Sequence, residues 1–139
     1  MDIAVILSDR YYAEPIIDRF DFFRHKTELF ESLSEARILF TKRFDGIYLW
    51  PSFVSRGYSA DVRTDGSPEF FGKKILTEII RAEGSANKDT PTVVSVGMDT
   101  EQGYTCEDYK RAGANLAILS ATDMDKAFEY FEQQFRKVV

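Results

Sequence analysis

The chain repeats one pattern five times: a short apolar run is followed by a segment in which apolar residues recur at helical spacing. These runs cover residues 3–7, 27–30, 46–50, 92–96 and 116–119, and the least apolar of them is 27–30, TELF. The first run, IAVIL, is apolar throughout, which is typical of a strand covered on both faces. Strands that alternate with helices through short connectors favour right-handed crossovers and a parallel sheet. We therefore expect an α/β protein, a three-layer αβα sandwich around a five-stranded parallel sheet.

Local signals indicate where the helices begin and end. Pro15 suits a first helical turn, Ser32 with Glu35 has the capping-box spacing, and Gly113 suits the end of a helix over 105–112. Another helix is expected over residues 73–82, and the last one begins at the Thr122-x-x-Asp125 pattern. Apolar stripes predict the buried helix positions, which are Ile16, Ile17, Phe20 and Phe23, then Ala36, Leu39 and Phe40, then Ile75, Leu76, Ile79 and Ile80, and finally Met124, Ala127, Phe128, Phe131 and Phe135.

Length, net charge and cysteine count indicate the number of domains, the kinds of partner and the cellular compartment. The 139 residues contain no stretch of sequence that recurs and predict one domain, residues 1–139, with a long inserted loop at 51–72. The net charge of −5 argues against non-specific binding to nucleic acid or to an anionic membrane. The single cysteine excludes an internal disulfide, and the N-terminal apolar run is too short for a signal or membrane segment. We expect a cytoplasmic protein.

Ligands of parallel α/β sheets bind outside the carboxyl ends of the strands. In this sequence, the residues expected at that edge are Ser8, Asp9, Trp50, Val96, Gly97 and Ser120. Trp50 is the only tryptophan of the chain, and it ends the third apolar run directly before Pro51.

Three stretches resemble the receiver domain of two-component response regulators, the CheY-like superfamily. ELFESLSEARILFTKRFDGIYLWPSF is similar to the second strand, second helix and third strand of that family. TPTVVSVG is similar to its fourth strand, and RAGANLAILSATDMDKAFEYF to its fifth strand and last helix. The resemblance covers almost the whole chain and implies a flavodoxin-like fold with strand order 2-1-3-4-5. It also implies a role in two-component signal transduction, the phosphorelay systems to which receivers belong.

The same resemblance implies that the phosphorylation pocket is degenerate. A working receiver has two acidic residues that hold Mg²⁺, a phosphoacceptor aspartate that ends the third strand, a hydroxyl that ends the fourth and a Lys-Pro pair that ends the fifth. The matching positions here are Ser8 with Asp9, then Trp50, then Val96 or Gly97, and then Ser120 with Ala121. An indole cannot form an acyl phosphate, and the lone carboxylate of Asp9 is a weak candidate for a magnesium ligand. We expect no catalytic residue, no metal and no cofactor.

The resemblance implies that the domain works as a pseudo-receiver, not as an enzyme, through contact with a protein partner or a second copy. Receivers commonly signal through the last two helices and the fifth strand, which here include Cys106–Tyr109, Tyr130, Gln133 and Gln134. The loop at 51–72 is either a solvated excursion or a partner-binding or pocket-covering segment. Its candidate contact residues are Arg56, Tyr58 and Arg63.

Two alternatives remain open from the sequence. The chain is alternatively a small-ligand-binding protein or enzyme of flavodoxin-like fold, with Asp9, Arg10, Tyr12, Ser52 and Ser120 around a pocket floored by Trp50. Phosphorylation could also persist at a displaced acid, Asp9. His25 is expected at a helix end or on the surface, and Cys106 is expected as a half-buried thiol at a helix start.

Overall fold

The computed structural model describes residues 1–7, 10–51, 72–96 and 105–137 of the chain, without the side chains of residues 120–122. Its sheet has five parallel strands in the order β2-β1-β3-β4-β5. The strands are β1 (Asp2–Ile6), β2 (Lys26–Phe30), β3 (Gly46–Leu49), β4 (Thr92–Val96) and β5 (Leu116–Leu119). The predicted fold class and strand order are confirmed.

The helices follow the strands in alternation. They are α1 (Arg10–Phe22), α2 (Leu33–Ala36), α3 (Ile75–Ile80, with π-helical hydrogen bonding), α4 (Cys106–Arg111) and α5 (Ser120–Arg136). Helix α2 continues as a 3₁₀ turn over Arg37–Phe40. The Ser32 hydroxyl caps α2 by accepting a hydrogen bond from the Glu35 amide, and Gly113 follows α4 with a φ of +121°.

Two apolar layers cover the two faces of the sheet, as expected of a three-layer sandwich. One layer joins the strands to α2, α3 and α4, and the other joins them to α1 and α5. Strand β3 shows the alternation, because Ile47 and Leu49 belong to the first layer while Tyr48 belongs to the second. Most of the predicted helical stripes are buried, including Ile16, Phe20 and all four of the α3 residues.

Three local predictions were wrong. Pro15 is the sixth residue of α1, not a first-turn residue, because the helix already begins at Arg10. Phe23 and Phe40 are 42% and 39% exposed, because Phe23 lies in the turn after α1 and Phe40 ends a 3₁₀ turn, where the α-helical period no longer applies. The last helix begins at Ser120, two residues before the predicted Thr122.

The long loop cannot be compared with its prediction, because residues 52–71 lie outside the described residues, and Arg56, Tyr58 and Arg63 lie there with them. None of the helices in the described ranges is long and apolar enough to cross a membrane.

Candidate functional site

Strand β3 carries Trp50 to the carboxyl edge of the sheet. The Trp50 amide donates a 3.0 Å hydrogen bond to the Ile6 carbonyl, so the residue extends the pairing of β3 with β1. Strand alternation turns its side chain towards α1 and α5, where it joins an apolar cluster that includes Leu7, Ala13 and Ile16. The indole is 8% exposed. It is therefore a packed part of the core at the position where the site was expected.

Two tyrosines at the start of α1 extend this aromatic cluster to the surface. The ring centroids of Tyr12 and Trp50 are 5.9 Å apart with planes at 69°. Those of Tyr11 and Tyr12 are 5.3 Å apart at 87°. Tyr12 is 42% exposed and Tyr11 78% exposed, so the three rings lead from the core outwards. Edge-to-face rings of this kind stabilise one another beyond simple burial.

A groove of about 340 Å³ lies beside these rings, between α1 and α5. We call it the Trp50 groove. Its lining includes three aromatic rings, two carboxylates and one thioether, which belong to Tyr11, Tyr12, Trp50, Glu14, Asp18 and Met124. The carboxylates of Glu14 and Asp18 were missed in the sequence analysis, although residues 11, 14, 15 and 18 have the i, i+3, i+4, i+7 spacing of one helix face.

The structure describes the side chains of two of the six residues predicted for the degenerate pocket, Trp50 and Val96, and does not bring them together. Val96 is 3% exposed and packs in the layer of α2, α3 and α4, on the opposite side of the sheet from Trp50. The other predicted pocket positions, Ser8, Asp9 and Gly97 and the side chain of Ser120, lie outside the described residues.

The alternative ligand pocket was predicted to include Arg10 and Tyr12, and these two side chains diverge. Arg10 forms an exposed ion pair with Glu31, which follows β2, at 3.3 Å between Nε and Oε1. Tyr12 instead contacts Trp50. Ser52 lies outside the described residues. Within the described ranges no group of His, Cys, Asp and Glu side chains is placed to hold a metal ion.

The predicted interaction face contains one error. Tyr109 was expected to be exposed on α4, but it is 1% exposed and packs in the core beneath that helix. Tyr130 on α5 is partly buried, its ring 5.9 Å from that of Phe131. Burial raises the pKa of Tyr130, and the nearby Arg81 opposes that rise. Gln133 is exposed and Gln134 half-buried on the same helix.

His25 and Cys106 were assigned structural roles from the sequence. Cys106 is half-buried at the first position of α4, as predicted. His25 follows the end of α1, but its side chain is largely buried, with Nε2 2.6 Å from Glu132 Oε1 on α5. Its ring also contacts Phe20 and Phe135. This long-range pair fastens the end of α1 to α5, and a single histidine in the sequence gave no sign of it.

No protein-family model and no curated protein matches this sequence. Solved structures do match it. The receiver domain of the Francisella response regulator 1452 has a TM-score of 0.73 at 14% identity, with 99% of this chain and 98% of that one covered. A two-component response regulator from Clostridium difficile has a TM-score of 0.69 at 15% identity, with the same coverage. The response regulator TrrA from Thermotoga maritima, solved with Mg²⁺ and BeF, has a TM-score of 0.68 at 15% identity, with 96% and 97% covered. The structural neighbours are thus CheY-like receiver domains, and this chain has the response-regulator receiver fold along almost its whole length.

Proposed function

We propose that this chain is a pseudo-receiver, a domain that takes no phosphoryl group at the end of β3 and regulates a two-component-type system through protein contacts. The observation that carries the proposal is the buried Trp50. It stands where the family resemblance requires an aspartate, and it is 8% exposed within the α1/α5 layer. An indole has no oxygen that can attack a phosphoryl donor, and an apolar packed ring offers no ligand to Mg²⁺. The domain is therefore proposed to have no enzymatic activity.

The experiment is incubation of the full chain with acetyl phosphate and Mg²⁺, followed by intact-mass spectrometry. We expect no species heavier by one phosphoryl group, whereas a conventional receiver treated in parallel gains one. A phosphorylated species would contradict the proposal. In that case the variant Asp9→Asn is treated in the same way. If the phosphorylated species is absent from this variant, Asp9 is the phosphoryl acceptor.

The proposed contact surface comprises α4, β5 and the outer side of α5, with Tyr130, Gln133 and Gln134. Tyr109 is no longer part of it because that ring is buried. The other candidate contacts, Arg56, Tyr58 and Arg63, belong to the loop. Partly exposed aromatic and amide side chains suit a modest interface with a protein partner or a second copy of the chain.

Sedimentation equilibrium and partner capture from the native host test this surface. We expect Gln133→Arg to weaken the association at least ten-fold, because it places a longer, charged side chain in the interface. The control is Asp21→Arg, which introduces the same side chain at an exposed residue of α1, on the other flank of α5. Equal weakening by both variants, or a monodisperse monomer with no captured partner, would contradict the proposed surface.

The second candidate function, binding of a small ligand at the carboxyl edge, is favoured by one observation. The Trp50 groove combines apolar rings with a few polar groups in a concavity of about 340 Å³, near the lower end of the range for ligand sites.

A further inference from the structure

The Trp50 groove has an unusual combination of side chains: three angled aromatic rings and two carboxylates. Because the Tyr11–Tyr12 and Tyr12–Trp50 planes meet at 87° and 69°, the rings form a stepped wall and not a flat stack. A flat ligand could lie against only one of these rings at a time. A compact group, in contrast, can contact more than one ring in such a corner.

The charge of the groove is negative. Glu14 and Asp18 are exposed, lie one turn apart on α1 and both line the groove. No ion pair joins either carboxylate to another residue that the structure describes, and none of the described lining residues is basic. Arg10, at the start of the same helix, is drawn towards Glu31 instead. The groove is therefore electrostatically suited to a cation and unsuited to an anion.

The aromatic rings of the Trp50 groove favour a particular class of cation, which charge alone does not. Ring faces attract organic cations, and Tyr and Trp do so more strongly than Phe. The Met124 thioether adds a soft, polarisable contact that accommodates methyl or methylene groups. A strongly hydrated inorganic ion gains little from such a lining, whereas an alkylammonium or guanidinium group matches it. The positive N-terminal end of α1 opposes a cation here, and the two carboxylates offset that effect.

We propose that the Trp50 groove binds an organic cation, an alkylammonium or guanidinium group. The group can belong to a free small molecule or to a lysine or arginine side chain of a partner. The proposal rests on the second candidate function and names its ligand class. This site is separate from the proposed α4–β5–α5 contact surface and does not depend on whether phosphotransfer has been lost.

The intrinsic fluorescence of Trp50 tests the proposal, because no other tryptophan contributes to the signal. The full chain is titrated with tetramethylammonium chloride and with N-acetyl-arginine methylamide, at constant ionic strength. The neutral control is tert-butanol, which has a similar size and apolar surface. We expect saturable emission changes with the cations in the millimolar range and none that saturates with tert-butanol. Tighter binding of the arginine derivative would identify a partner side chain as the source, and tighter binding of tetramethylammonium a free quaternary amine.

Variants separate the ring and charge contributions. We expect Tyr12→Ala to weaken cation binding at least ten-fold, and Glu14→Gln with Asp18→Asn to weaken it about five-fold. The matched control Glu129→Gln, an exposed carboxylate on α5 outside this groove, should leave it unchanged. Saturation-transfer NMR on the tetramethylammonium methyl protons provides a second readout that does not depend on the environment of Trp50.

Circular dichroism of each variant establishes that it is folded. Failure of both cations to saturate, equal binding of tert-butanol, or unchanged binding in the Glu14/Asp18 double variant would overturn the proposal. None of these results concerns phosphorylation, so the proposed pseudo-receiver function would be unaffected by them.

Discussion

The two ends of the sheet are stabilised differently. At the amino end, Arg81 and Asn87 form hydrogen bonds that join the segments leading into the strands. At the carboxyl end, Trp50 follows β3 and its ring packs in the core. The Arg81 guanidinium donates to five oxygens, the carbonyls of Gly113, Asn87, Lys88 and Thr90 and Oδ1 of Asn115. Desolvation by burial lowers the pKa of Arg81, and the charge of nearby Asp89 opposes that shift. At the carboxyl end the corresponding closure is the T-shaped contact of Trp50 with Tyr12.

Asn87 shows how directional the amino end is. Its side chain is fully buried, donates to the Leu39 and Lys42 carbonyls, and accepts from the Phe44 amide and the Thr90 hydroxyl. Each of these bonds fixes both a distance and an angle, and together they require a side chain that donates and accepts at once. Aromatic packing at the Trp50 end is less directional, and we expect that end to tolerate other rings. We infer that the amino end holds the fold together and that the carboxyl end is free to vary with function.

The largest expected effect is at Asn87. Replacement by alanine removes the Asn87 partner of two carbonyls and one amide, while the Thr90 hydroxyl keeps the Phe44 carbonyl as an acceptor. We expect a loss of about 4 kcal/mol in the free energy of unfolding. Urea unfolding followed by circular dichroism measures the loss. Lys88→Ala is the control, because it removes an exposed side chain and keeps the carbonyl that Arg81 uses. A loss at Asn87 no larger than that of the control would refute the assignment of stability to the amino end.

Trp50→Ala is expected to cost about 3 kcal/mol, because it removes a large buried ring and leaves a cavity at the surface end of the core. Trp50→Phe retains a ring against Tyr12 and should cost about 1 kcal/mol. The same urea experiment compares them with Asn87→Ala. If the phenylalanine variant were as unstable as the alanine variant, the Trp50 position would require one specific side chain, as the Asn87 position does. The proposed difference between the two ends of the sheet would then be wrong.

Tyr48 makes the α1/α5 layer sensitive to high pH. Burial raises its pKa to about 12 from 10.0, with the Ser95 side chain acting in the opposite direction. Below pH 10 the hydroxyl is neutral in both the folded and unfolded states; as pH rises above 10 only the unfolded chain loses the proton. Stability should therefore fall by up to about 2.7 kcal/mol as pH rises from 10 to 12.

The control for this pH effect is Tyr48→Phe, whose stability should fall less over the same interval, since Lys, Arg and the other tyrosines titrate identically in both proteins. Urea unfolding at several pH values gives both curves. Parallel curves would mean that the Tyr48 hydroxyl ionises as readily in the folded protein as in the unfolded chain.

Gly113 and Gly84 provide a matched pair near the amino end. Both have positive φ, +121° and +85°, which disfavours any side chain. A Cβ on Gly113 would lie 2.8 Å from Cγ of Arg81, whereas one on Gly84 would lie 3.6 Å from the Phe40 ring, an ordinary contact. We expect Gly113→Ala to cost about 2 kcal/mol and Gly84→Ala about 1 kcal/mol. Equal costs from thermal unfolding would show that Arg81 yields easily and that its hydrogen-bond network is not rigid.

The strands of this fold were predictable because burial on both faces leaves a simple trace, a short run of apolar residues such as IAVIL. The apolar runs do not reveal the order of the strands in the sheet, which was predicted only from the resemblance to receiver domains. Tyr109 was misplaced because α4 has six residues, too few for a period to show which face is inside. The register of α1 was shifted by assigning Pro15 to a first turn, which hid the helical face shared by Tyr11, Glu14 and Asp18.

The long-range polar contacts of Arg81 and His25 were not predictable from the sequence. Arg81 reads as an ordinary helix-end arginine, yet its acceptors lie up to 34 residues away in the chain. His25 and its partner Glu132 are separated by 107 residues. Periodicity reports which side of an element is buried, but pairing between side chains and distant backbone groups depends on how the elements are placed, which local sequence does not encode.

The smallest expected effect is at Thr105, at the carboxyl end of the sheet. Its substitution tests whether a hydrogen bond at that end stabilises only its own helix or, like those of Asn87, the whole fold. Thr105 caps α4: its hydroxyl accepts from the Asp108 amide, and the Asp108 carboxylate accepts from the Thr105 amide at 2.8 Å. The Thr105 hydroxyl also donates to the same carboxylate at 3.0 Å. The bond from the Thr105 amide and then the one from its hydroxyl lower the pKa of Asp108, so their contribution is present above the ordinary aspartate pKa and is lost as pH falls. We expect Thr105→Ala to cost about 1 kcal/mol and Thr105→Ser to cost almost nothing. Amide hydrogen exchange of α4 should show the loss confined to that helix. If protection fell across the whole sheet instead, the carboxyl end would be coupled to the core as tightly as Asn87 couples the amino end.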